Sequence, residues 1–181
     1  MEINRYKRWQ DRHSCLFGKL MLAEALSRHG LTLDHVRRTN FGKPFVDSDI
    51  DFNISHSGEY VLLACAKGMK VGIDIEMLKP VEFSDFEKTM TPSQWEFIKS
   101  STFPLRSFYK YWTIKEGVIK AEGEGLSIPL QEIEIGDESA KFREHTWHFK
   151  EVDIDEHYFA HVVTSANIGM DKMPILSMNF E

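Results

Sequence analysis

The stretch "VGIDIE", Val71 to Glu76, alternates three β-branched residues (Val71, Ile73, Ile75) with Gly72, Asp74 and Glu76. A strand turns successive side chains to opposite faces, so this period of two predicts a β-strand with Gly72, Asp74 and Glu76 on one side. Further along, "YWTIKEGVIK" (Tyr111 to Lys120) mixes packed-looking Tyr111, Trp112, Ile114, Val118 and Ile119 with Lys115, Glu116 and Lys120. It belongs to a predicted helix from Leu105 to Ala121 that stops at "EGEG". A second helix is predicted over Ser14 to His29, closed by Gly30. Two helices of this length interleaved with several short strands make the expected class α+β.

Outward from "VGIDIE", the preceding "YVLLACA" reads as a buried strand, reached through a short loop, "FNISHSG". "GMK" is the turn between the two strands, and a hinge at Lys67–Lys70 divides the chain into halves, 1–69 and 70–181. At "TPSQWEFI" a third helix starts. Thr91 caps it, Pro92 takes the first helical position, and Gln94 stands where a capping box wants Glu or Gln. "HTWHFKEVDI" and "YFAHVVTS" alternate like the arms of a hairpin.

The composition is that of a globular protein, 42% hydrophobic and 28% charged over 181 residues. No run of 18 apolar residues exists, which excludes a spanning helix, and the first residues lack the apolar core of a signal peptide. Two cysteines, Cys15 and Cys65, have core-like flanks, and a reducing cytoplasm is the expected location. The net charge of −6 argues against nucleic acid as a partner but hides an asymmetry. Residues 1–43 hold nine Lys/Arg against four Asp/Glu, whereas the remainder is strongly acidic. A basic front part suits an anionic ligand or an acidic partner; a solvated helix surface accounts for it equally well.

Two residues of rise put Asp74 and Glu76 about 6–7 Å apart at the backbone, close enough for both carboxylates to bend toward one hard cation such as Mg²⁺. The competing reading is the solvated face of an amphipathic strand. Gly72 on the same face leaves room for something to approach the backbone. Glu116 and Lys120, four apart, share one helix face. On an open surface such a pair contributes a few tenths of a kcal/mol, roughly. Flanked by aromatic and β-branched turns, the carboxylate needs a lysine, a metal or both. Lys43 in "GKPF" is aimed by its neighbouring proline, and Ser55, His56 and Ser57 cluster donors able to hold a phosphate. A serine hydrolase is excluded in practice: adjacent Ser and His rarely pair as nucleophile and base, and no Gly-x-Ser-x-Gly elbow occurs.

Taken in order, "GKP", "FNISHSG", "VGIDIE", "WTIKEGVIK" and "GEGLSIPL" resemble the motifs of the Sfp-type 4′-phosphopantetheinyl transferases over about Gly42 to Leu130. The resemblance implies a pseudo-dimer of two similar α+β halves, here with a shortened N-terminal half. It implies transfer of the phosphopantetheine arm of coenzyme A to a serine of an apo acyl or peptidyl carrier protein, with release of 3′,5′-ADP. Asp74, Glu76 and Glu116 match the Mg²⁺ ligands, and Glu116 also the general base. Lys120 matches a catalytic lysine on the phosphates; Lys43, Ser55 and His56 match residues at the phosphoadenosine end. The implied partners are coenzyme A and an acidic carrier protein, with no membrane and no second copy required. Three departures stand out. The family usually has a further strand and basic segment before the equivalent of "RYKRWQDRHS", for which Arg5, Arg8 or Arg12 would substitute. It usually has Glu where this chain has Gln94, and Ala or Ser in place of Gly117. The alternative function is a non-enzymatic adaptor that binds coenzyme A or carrier; a third is a phosphodiesterase that cuts the pyrophosphate with water.

Overall fold

A computed structural model describes residues 8–169 and 173–178; Arg5 and the rest of the first seven residues lie outside the described residues. Helix α1 (Trp9–Ser27) starts earlier than predicted. The short strands β1 (Arg37–Arg38) and β2 (Pro44–Phe45) pair with each other. Strands β3 (Ile50–Ser57) and β4 (Tyr60–Lys67) form an antiparallel hairpin with Ser57 opposite Tyr60. Its two-residue turn needs Gly58 at φ +56°, a left-handed conformation that glycine adopts without strain. The predicted loop at "FNISHSG" is therefore corrected: Ser55, His56 and Ser57 lie on β3 itself, because so tight a turn leaves no loop.

Strand β5 (Val71–Met77) is followed by α2 (Pro92–Ser100), whose capping box forms as expected between Thr91 and Gln94. Helix α3 (Pro104–Glu122) ends at Gly123 in the left-handed conformation. The chain closes with β6 (Glu134–Ile135), β7 (Ser139–Phe142), β8 (His145–Glu151) and β9 (Tyr158–Thr164). They assemble into one antiparallel sheet of order β5-β9-β8-β7-β6, in which β8 and β9 are the expected hairpin. The α+β class holds: α1 lies on the β3–β4 hairpin and α3 on the five-stranded sheet. No helix among the described residues is long and apolar enough to cross a membrane.

Four layers stack on one another. Helix α3 covers one face of the five-stranded sheet, with Ile114, Val118 and Ala121 packed among Ala140, Trp147, Phe149 and Val163. On the opposite face, Tyr60, Leu62, Ala64 and Ala66 of β4 pack on Val71, Ile75, Ala160 and Val162. Outside the hairpin, Leu22 and Leu26 of α1 close on Ile50 and Phe52. Strand β4 is half-buried rather than buried, and Cys65 is exposed, since an edge strand covered on alternate sides keeps water along its flank. What approaches Gly72 is α3: a Cβ there would meet the Gly117 carbonyl oxygen and the Ala121 nitrogen. A Cβ on Gly117 would meet the Val163 side chain, so the two glycines together seat the helix.

Strand β3 lies against the outer edge of β5, yet the two strands belong to separate sheets. Side chains replace the missing ladder. Asp51 Oδ2, Asn53 Oδ1, Ser55 Oγ and Ser57 Oγ accept from the N–H groups of Val71, Ile73, Ile75 and Met77 at 2.8, 3.1, 3.3 and 3.0 Å. The side-chain period of β3 matches the N–H period of β5, so each amide on this edge meets one acceptor. This seam joins β3 to β5.

Candidate active site

At the seam Ser55 and Asp74, one from each strand, meet under α3. Asp74 is 3% exposed, and its Oδ1 accepts from Ser55 Oγ at 3.0 Å and from Lys120 Nζ at 2.6 Å. Lys120 also reaches Ser55 Oγ at 2.9 Å. The other oxygen, Asp74 Oδ2, is buried with no hydrogen-bond partner. Burial pushes the Asp74 carboxyl up from its ordinary value, against the opposing pull of Lys120 and of hydrogen bonds from Ser55 and the Ile75 N–H.

Glu76 lies one strand period along. Ser57 Oγ donates to its Oε2 at 3.1 Å, and the Trp112 side chain lies near it from α3. Burial, then repulsion from Asp74, raises this carboxyl as well. Glu116 faces both acids from the helix. Burial pushes it up to about 6, with Asp74 and Glu76 adding to the rise and Lys120 opposing it. Three carboxylates thus feel one another, and one ammonium group partly offsets them. Among the described residues, no three acid, imidazole or thiol groups form a ready-made metal cage. The chemistry of the three groups nevertheless suits a hard divalent cation: they offer only carboxylate oxygens, mutually repelling, with one buried oxygen unpartnered.

The residues expected at the phosphoadenosine end separate. Ser55 is 5% exposed, and its single proton and its lone pairs are committed to Asp74, Ile75 and Lys120. His56 points to the other side of β3 and is exposed. Lys43 clasps the seam, donating to Asp51 Oδ2 at 2.9 Å and to the Ala121 carbonyl at 3.1 Å, with its stem lying over Gly123. Gln94 is built into the scaffold: besides capping α2, its Nε2 donates to the Ile133 carbonyl at 3.2 Å, a bond that an ionised glutamate cannot make.

Lys115 and His161 are buried among partners that the sequence does not show. Lys115, fully buried, donates to the carbonyls of Thr89 and Leu130 at 2.9 and 2.7 Å, and burial pulls its ammonium down to about 7. His161 sits opposite Asp74 in the strand register, but its Nδ1 contacts Thr113 Oγ1 at 2.8 Å and its ring stacks on Phe159. Burial holds it neutral, down at about 3. Thr113 gives its own proton to the Tyr109 carbonyl, so the histidine donates and anchors α3 to β9. The acceptors Asp51 and Asn53 went unread, and Ser57 reads in sequence as a donor to phosphate, although "DFNISHS" carries a small polar residue at every second position of a strand.

The family model described as the 4′-phosphopantetheinyl transferase superfamily matches residues 70–170. A second model, described as 4′-phosphopantetheinyl transferase, N-terminal, matches residues 1–68. An L-aminoadipate-semialdehyde dehydrogenase-phosphopantetheinyl transferase of Rattus norvegicus is 32% identical over 84% of this chain and 61% of its own length. The 4′-phosphopantetheinyl transferase gsp of Aneurinibacillus migulanus is 37% identical over 70% of this chain and 55% of its own. The 4′-phosphopantetheinyl transferase Sfp of Bacillus subtilis is 32% identical over 74% and 62%. The matches therefore span 55 to 62% of the length of these curated relatives.

Proposed function

Because the chain belongs to the 4′-phosphopantetheinyl transferase superfamily, we propose that it moves the phosphopantetheine arm of coenzyme A onto a serine of an apo acyl or peptidyl carrier protein. The observation that carries this reading is the convergence of Asp74, Glu76, Glu116 and Lys120 where α3 crosses the seam, with Asp74 Oδ2 left open.

In this reading Asp74, Glu76 and Glu116 hold Mg²⁺, which when bound neutralises charge on the pyrophosphate of coenzyme A. Glu116 is the general base. Its carboxylate reaches the site from α3, facing Asp74 and Glu76, where it can take a proton as the reaction proceeds. It removes the proton of the carrier serine as the serine oxygen forms its bond to phosphorus. The bond from that phosphorus to the bridging oxygen breaks, and the electron pair leaves with 3′,5′-ADP. Lys120 contributes positive charge to the phosphates, which requires it to loosen its hold on Asp74. Lys43, Ser55 and His56 mark the phosphoadenosine side, with exposed His56 available to the 3′-phosphate and Lys43 and Ser55 shaping the wall behind it. The halves 1–69 and 70–181 then act as the two walls of the cleft. A cytoplasmic monomer acting on an acidic carrier agrees with the two unpaired cysteines and the basic front of the chain.

The test is the intact mass of an apo carrier after incubation with this protein, coenzyme A and Mg²⁺, across several carrier types. A gain of one phosphopantetheine arm, abolished by a chelator, is the expected result. Gln94, which cannot act as an anionic ligand, favours one other reading, an adaptor. No gain on any carrier from folded protein that binds coenzyme A would establish the adaptor. Release of 3′,5′-ADP with no carrier present would identify a phosphodiesterase instead.

A further inference from the structure

Ser57 closes β3, and its hydroxyl does two things at once. It accepts the Met77 N–H at 3.0 Å and donates to Glu76 Oε2 at 3.1 Å. Ser55 repeats this one strand period earlier, accepting from Ile75 and donating to Asp74 Oδ1. Each serine is thus fixed by a backbone amide of β5 and spends its only proton on the acid next to that amide. The two pairs differ in their remaining support. Lys120 also grips Asp74, whereas Glu76 has Ser57 and, from the helix, Trp112. On the half-buried end of the seam, Ser57 is the one group of β3 that fixes the direction of the Glu76 carboxylate.

We infer that Ser57 is a positioning residue: through its hydroxyl it aims Glu76 at the place where that carboxylate takes a divalent cation. This rests on the reading of Glu76 as a metal ligand. Groups that orient ligands commonly change metal affinity as much as a weak ligand does. Asn53 provides the internal control, because it makes a seam bond of the same kind, to Ile73 at 3.1 Å, with no acid attached.

The experiment titrates Mn²⁺ calorimetrically into the full chain without carrier. Parent, Ser57→Ala, Ser57→Thr and Asn53→Ala are compared, with coenzyme A binding in chelator and thermal midpoints measured alongside. Ser57→Ala should weaken Mn²⁺ binding by about 10- to 100-fold while leaving metal-free coenzyme A binding as in the parent. Ser57→Thr, which keeps the hydroxyl, should restore the affinity. Asn53→Ala should lower the midpoint with Mn²⁺ affinity unchanged. Parent-like Mn²⁺ binding by Ser57→Ala would overturn the inference and leave the metal reading standing. Equal weakening in Asn53→Ala, or failure of the threonine to rescue, would overturn it in favour of general loosening of the seam. Absence of Mn²⁺ binding by the parent, with or without coenzyme A, would remove the metal reading and this inference together.

Discussion

Strand β5 has two edges held by different chemistry. Toward β9 it is paired backbone to backbone from Val71–Thr164 to Met77–Tyr158. Toward β3 its amides are met by the side chains of Asp51, Asn53, Ser55 and Ser57. A backbone ladder tolerates almost any residue, so on the β9 side sequence is free to serve packing. The β3 edge requires an acceptor at every second position. In return it brings hydroxyls and carboxylates to the flank of Asp74 and Glu76 without leaving amides unsatisfied. The candidate site is built on the edge where side chains have replaced backbone.

Mutations that strike the face above both edges should have the largest effect. Gly72→Ala puts a methyl group into the Gly117 carbonyl and the Ala121 nitrogen, so α3 must lift from the sheet. The expected cost is about 3 kcal/mol, seen as a lower urea midpoint. Unchanged stability would mean that the helix is not seated through this glycine.

Next comes Asn53→Ala, which leaves the buried Ile73 N–H without its acceptor at a cost of roughly 1–3 kcal/mol. Hydrogen exchange separates the edges: the Ile73 amide should lose protection while the Gly72 amide, which faces β9, keeps it. Loss at both would show that the edges are not independent.

Glu116 gives a pH test. Its folded value of about 6 lies above the ordinary 4.5, so the folded protein holds this proton more tightly than the unfolded chain. Glu116's own contribution to the stability of the metal-free protein should therefore fall as pH rises from about 4.5 through 6, against the rise that His161, held neutral by burial, contributes over the same window. Glu116→Gln should remove this contribution, making stability rise more steeply with pH across the window than in the parent, and stabilise the metal-free protein at pH 7 by up to about 2 kcal/mol. Urea unfolding at the two ends of the window measures it, and an unaltered slope would show that Glu116 is not the group responsible.

The smallest effect belongs to the Lys67–Asp49 pair, whose side chains are 69% and 61% exposed. Replacing Lys67 by Ala should change stability by less than about 0.5 kcal/mol, because solvent screens such pairs. A larger loss would mean that the hairpin end contributes to the seam.

Much of this was legible in sequence because it follows period and punctuation. The alternation of "VGIDIE" gave β5, Thr91-Pro92 gave the start of α2, and Gly123 the end of α3. Asp74 and Glu76 fell on one face by strand geometry alone. What was not legible depends on what crosses a strand. Nothing local says that α3 covers Gly72, or that Ser55 and Ser57 extend a strand instead of forming a phosphate loop. Lys115 stands out in sequence among packed-looking residues, but its partners, the carbonyls of Thr89 and Leu130, cannot be read there. His161 reads as one more strand residue until Thr113 lies beneath it. Partners that are distant in the chain leave no periodic trace.

The most direct measurement compares carrier modification by the parent and by Glu116→Gln, with coenzyme A affinity measured on both proteins. The account predicts that the variant loses turnover by about 10²-fold or more, the range of a general base, while binding coenzyme A much as the parent does. A variant that modifies the carrier at the parental rate would contradict the role given to Glu116, and with it the site placed on the seam.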